Sequence, residues 1–159
     1  MTVPSDSHLP HAPWVAHSQQ LLESFVRLLG RELVDRSGTH QEQAWRLYEA
    51  AFVVVSADAS ADPLLTYGNR TALGLWEVDV DTLLATPARH TAEPMHRDER
   101  QQLLDRTRAQ GFVDDYAGIR ISATGKRFRI EQAIVWNLLD EAGSYCGQAA
   151  TFDRWVPLP

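Results

Sequence analysis

Arg89-His90-Thr91-Ala92-Glu93, with His96 and Arg97 close by, concentrates ionisable side chains between two helical segments. Two guanidiniums in one short segment can form a fork for a carboxylate or phosphate. An imidazole beside them adds a group that titrates near neutrality. Pro87 and Pro94 bracket the segment in a loop, where binding residues tend to gather, so Arg89 is its ligand-facing candidate. His90 and Arg97 are its neighbours. The competing reading is that these side chains cap the adjoining helices and pair locally with Glu93 and Asp98. Arg89, His90 and Glu93 could also serve as acid, base and anchor of a small enzyme acting on an anionic metabolite.

A second group falls on extended segments. Arg120 lies on the face opposite Ile119 and Ile121. It either joins Arg129 and Glu131 in a solvated charge ladder worth little, or points inward and anchors an acid. Phe128, Ile130, Ile134 and Trp136 share one parity of the following strand. Near its end comes Trp136-Asn137, with Gln148 in the next strand. An indole supplies flat apolar area and one N–H donor, and the two amides supply donors and acceptors. Together they could read a ring with polar edges, such as a flavin. The alternative is that Asn137 and Gln148 satisfy buried backbone at a strand bend.

The candidate ligand-binding set is therefore Arg89, His90, Arg97, Arg120, Trp136, Asn137 and Gln148. Asn69 reads as a helix N-cap, and Cys146 as a buried, inert thiol. No HxxxH or CxxC spacing marks a metal site, and no Gly-rich phosphate loop or nucleophile elbow is present. No catalytic or metal-binding residue is assigned.

The elements that must position these residues are legible from periodicity. Residues 1–16, rich in Pro, Ser and His, predict a flexible tail. Leu21, Leu22, Phe25, Leu28 and Leu29 form one helical stripe from Ser18, stopped at Gly30. Thr39 and Glu42 have capping-box spacing before a second helix, so residues 17–51 are N-terminal helices for packing or dimerisation. Residues 52–156 are the main domain. It opens with Phe52-Val53-Val54-Val55-Ser56, a buried strand, and Leu64–Tyr67, a second. Short helices at 70–76 and 79–85 and a long one at 97–110 follow. Gly111 to Trp155 then reads as three strands joined by two Gly-containing turns, an antiparallel meander.

The class is α+β: a five-stranded antiparallel sheet with helices inserted between its second and third strands, plus an N-terminal helical extension. That is the layout of a PAS domain. The residues from Tyr67 to Trp76 resemble the PAS signature of a strand, an Asn and an Ala-Leu helix. Pro87–Pro94, Arg97–Arg100, Gly118–Ser122, Gly125–Phe128, Val135–Leu138 and Gly147–Phe152 resemble motifs of the MEKHLA domain, a PAS-related family. It occurs as small stand-alone proteins and at the C-terminus of plant class III homeodomain–leucine-zipper transcription factors. The resemblance spans residues 18 to 155. It implies a PAS-like fold and a role in sensing light, oxygen, redox state or a small molecule. A photoactive flavin-binding PAS domain needs its cysteine in an Asn-Cys-Arg-Phe type motif, which this chain lacks. A haem-binding one needs an axial histidine in an apolar slot, and neither His90 nor His96 is so flanked. The cofactor is left open.

Composition narrows the partners. With 44% hydrophobic and 23% charged residues, the 159-residue chain can build one soluble core. A net charge of −6 argues against direct nucleic-acid binding or an anionic membrane surface. A single cysteine, no signal-peptide pattern and no spanning apolar run lead to a cytoplasmic expectation. The expected role is a non-catalytic sensory or interaction module that binds a small organic ligand. The apolar stripe on the first helix suggests a homodimer, unless that face folds back on the sheet. A ligand-free structural dimerisation module is the remaining alternative.

Overall fold

A computed structural model describes residues 9–159. Residues 1–8 of the expected tail lie outside the described residues. Helix α1 spans Trp14–Leu29, starting earlier than Ser18. Trp14 accounts for the early start: it is buried, and its indole N–H donates to the Thr66 carbonyl at 2.9 Å. Gly30 ends the helix at φ 74°, a left-handed conformation that glycine adopts without Cβ strain. Helix α2, His40–Tyr48, starts with the capping box anticipated for Thr39 and Glu42.

Strands β1 (Val53–Asp58) and β2 (Leu65–Gly68) form a hairpin. Short helices α3 (Arg70–Trp76) and α4 (Val80–Leu84) come next, then 3₁₀ turns at Ala88–Thr91 and Pro94–His96, and then α5 (Arg97–Gln110). The meander is β3 (Phe112–Ile121), β4 (Arg127–Leu139) and β5 (Tyr145–Phe152). Strand order is β2-β1-β5-β4-β3, with every pairing antiparallel. The expected PAS-like architecture, with helices inserted between β2 and β3, is the one observed.

Two details differ from expectation. The third meander strand breaks at Asp153, and Arg154–Pro157 forms a sixth strand, β6. It pairs with Phe128–Glu131, the half of β4 that β5 leaves free. The second difference concerns parity. Gln132 has a left-handed φ of 51°, and the β3–β4 register shifts around Ala133. An inserted residue flips every later side chain to the other face. Phe128 and Ile130 therefore share a face with Val135, while Ile134, Trp136 and Leu138 pack on the opposite one.

The sheet is covered on both faces. Leu21, Leu22 and Phe25 of α1 are fully buried with Trp136 and Leu138, and the Phe25 and Trp136 rings meet edge-on at 5.0 Å. The apolar face of α1 thus folds back on its own sheet. On the other face, Trp76 packs edge-on against Phe128 and Phe152. There α5 lies over β3 and β4 with only Leu103 and Thr107 buried. Asn69 is wholly buried. It caps α3 through Ala72 N–H, accepts from Val54 N–H, and donates to the Leu47 and Phe52 carbonyls. Among the described residues, no helix is long and apolar enough to cross a membrane.

Candidate functional site

A cavity of about 330 Å³ lies between the concave sheet face and α5. Its apolar walls come from Val55, Leu65, Trp76, Leu103, Ile130 and Phe152. Its polar lining is dominated by Arg100 and Arg108 from α5, Arg120 from β3, and Gln148 from β5. Tyr116 and Tyr145 complete the wall.

Arg120 is 7% exposed, so the inward reading of its position is the one that the fold realises. Its guanidinium lies 5.4 Å from the centre of the Tyr116 ring, and one Nη donates to the Ile119 carbonyl at 2.9 Å. Gly118 makes room for this arrangement, because a Cβ there would meet Tyr116 Oη at 2.0 Å. Arg108 stacks on Tyr145 at 4.3 Å. Burial, and after it the like charge of Arg120, lower the Arg100 guanidinium to about 10. None of the three arginines has a carboxylate within 4.0 Å among the described residues. Two carboxylates also border the cavity. Asp58 accepts from Ser60 and from Leu64 N–H, and Asp105 accepts from Gln101.

Asn137 and Gln148 come together, but mainly to hold backbone. Gln148 Nε2 donates to the Leu104 carbonyl at 2.9 Å, and Asn137 Nδ2 to the Arg108 carbonyl at 3.2 Å. Both therefore fasten α5 to the sheet, and Gln148 borders the cavity as well. Trp136 does not join them. It is fully buried against α1, because successive strand residues face opposite sides.

The loop cluster is not at the cavity. Arg89 is ion-paired with Asp62, and Arg97 donates to the Ala92 carbonyl. His90 is exposed, and Glu93 pairs with Arg127 at 2.6 Å. Arg89, His90, Glu93 and Arg97 do not line the pocket. A Ser–His contact does occur elsewhere, with His17 Nε2 2.9 Å from Ser56 Oγ. Its third member is Thr66 rather than an acid, and Ser56 is buried under α1, so it stabilises packing.

A family model for the MEKHLA domain matches residues 15–157. The chain belongs to the MEKHLA family. Two curated relatives are Homeobox-leucine zipper proteins of Arabidopsis thaliana, ATHB-14 and ATHB-9. Each is 25% identical, over 89% and 96% of this chain respectively. The MEKHLA chain spans only 16% and 19% of their lengths.

Solved structures agree on the fold. The PAS domain of a Colwellia psychrerythraea protein superposes with a TM-score of 0.59 at 13% identity, over 72% of this chain and 95% of its own. The dark-state structure of the blue-light photoreceptor Aureochrome1 LOV gives 0.52 at 18% identity, over 81% and 89%.

The Asn-Cys-Arg-Phe type motif of photoactive flavin-binding PAS domains is missing from the sequence, and the position of the cysteine bears on the same question. In this MEKHLA domain Cys146 Sγ accepts from Gln20 Nε2 at 3.2 Å, on the α1 side of the sheet. The cavity is on the other side, so the residues present do not fit flavin–thiol chemistry. Neither His90 nor His96 lines the cavity to serve as a haem ligand.

Sequence reading missed Arg100, Arg108, Tyr116, Tyr145 and Trp76 as cavity residues. A signal existed for the first two. Arg100, Leu104 and Arg108 repeat at four-residue spacing, one stripe of α5.

Proposed function

We propose that this MEKHLA domain is a non-catalytic sensory module that binds a small organic ligand between its sheet and α5. The observation that carries this reading is the cavity itself. Its volume of about 330 Å³ falls in the range of small-molecule sites, and apolar walls carrying a few polar groups are typical of them. Trp76 adds support: its buried indole N–H has no partner among the described residues. Ligand binding would shift the equilibrium between packings of α5, the helix with the smallest buried share of its length over the cavity.

The enzyme reading has less support, since its three residues are dispersed in ion pairs and solvent. The case for a second copy of the chain also weakens, because the α1 stripe is already covered by the sheet. A net charge of −6 continues to favour a small-molecule partner over nucleic acid, and a lone cysteine fits a reducing, cytoplasmic setting.

The test is a thermal-shift screen of the full chain beside Ala150→Phe, which fills the cavity. A compound that stabilises only the wild type is expected, worth about 2.7 kcal/mol at a hundredfold excess over Kd. Stabilisers acting equally on both proteins would remove the cavity from the account.

A further inference from the structure

We propose that the ligand is an organic anion, with a carboxylate or phosphate on an apolar or aromatic body, gripped between Arg100 of α5 and Arg120 of β3. This rests on the ligand-binding reading above and adds the ligand's charge and the residues that read it.

The observation is an imbalance of charge. Charged side chains that leave water are normally paired or well hydrogen-bonded. Arg120 is 7% exposed, yet among the described residues only one of its five N–H donors meets an acceptor, the Ile119 carbonyl. Arg100 lines the same cavity from the helix, within range for the two like charges to repel, while Tyr116 and Asp62 act in the opposite sense. Arginines elsewhere in this chain do find carboxylates: Arg89 takes Asp62, and Arg127 takes Glu93. The carboxylates nearest the cavity, Asp58 and Asp105, take their hydrogen bonds from Ser60, Leu64 and Gln101 instead. The cavity therefore holds a surplus of donors facing apolar walls, a match for an acid with a greasy body.

The arginines also form a graded path. Arg108 is exposed and stacked on Tyr145, Arg100 is half-buried, and Arg120 is deepest. Such a sequence draws an anion inward from solvent. Because Arg100 belongs to α5 and Arg120 to the sheet, one bound anion bridges the two layers. Its arrival would tighten α5 and its departure release it, which gives the helix a charge-dependent position.

The experiment compares phenylacetate, phenyl phosphate and the neutral phenylacetamide by calorimetry on the full chain at matched ionic strength. At least one anion is expected to bind about ten- to a hundredfold more tightly than the amide, the yield of one or two charge-assisted hydrogen bonds. Whichever anion binds better identifies the headgroup as carboxylate or phosphate. Arg100→Gln should abolish the advantage, and Arg120→Gln should do the same if it folds. In anion-free buffer Arg100→Gln should melt no lower than the wild type, since it relieves repulsion. Equal affinity for acid and amide would overturn the anion and leave the cavity reading standing. Binding of none of the three at millimolar concentration would overturn both. A lowered melting temperature for Arg100→Gln without anion would show a structural pairing and overturn the assignment.

Discussion

Gln148 on β5 donates to the carbonyl of Leu104 on α5 at 2.9 Å, through an amide nitrogen that also lies 3.2 Å from Asn137 Oδ1. That contact joins the two layers between which the cavity opens. Gln148→Met keeps the volume and removes the donor. It should destabilise the fold by about 1–3 kcal/mol, because the buried acceptors lose their partner. Urea unfolding would measure the loss. Hydrogen exchange should quicken in α5 before it does in β4.

The Asn69 side chain makes four hydrogen bonds from a fully buried position, to α2, the start of β1 and the first turn of α3. Asn69→Ala should therefore lose about 3–5 kcal/mol, more than a cap alone, since several buried groups go unpaired. Thr39→Ala, at the exposed cap of α2, should lose about 1 kcal/mol. Chemical denaturation of both variants would check the contrast, and equal losses would contradict it.

His17 gives the domain a pH dependence. Burial between α1, which carries it, and the sheet lowers its imidazole from 6.5 to about 4. Between those values the unfolded chain holds a proton that the folded chain does not, so stability falls as pH drops through this window. The full loss is about 3 kcal/mol by pH 4. Carboxylates of Glu42, Asp79 and Asp35, held below their ordinary values chiefly by backbone hydrogen bonds, lose their contribution mostly at lower pH. Unfolding curves near neutrality and near pH 5 should show a slope that His17→Gln flattens. A slope unchanged in that variant would assign the effect elsewhere.

Phe25 and Trp136 are both fully buried, with ring centres 5.0 Å apart. Phe25→Ala should cost about 3–5 kcal/mol through lost contact and the hole left behind. Tryptophan fluorescence should shift to the red as the α1–sheet contact loosens. A loss near zero would mean that α1 is an appendage, not part of the core.

Local chemistry was readable without coordinates: the Thr39–Glu42 box, the Asn69 cap, the Gly30 stop, the hairpin turns, and from their order the PAS-like sheet with inserted helices. Each depends on neighbours within a few residues, or on a period of two or 3.6, and such patterns are written directly in the chain. Periodicity says which side chains share a face. It does not say which face is hollow. Arg120 had two readings for that reason, and only the docking of α5 on one side of the sheet and α1 on the other separated them. The extra residue at Gln132 reversed the parity of Trp136 and Asn137 relative to Phe128, with no composition signal to announce it. That Arg100 and Arg120, twenty residues apart in sequence, line one cavity likewise depends on how a helix crosses a sheet. Long-range packing decided it, because side chains distant along the chain acquire a common environment only after the layers have closed.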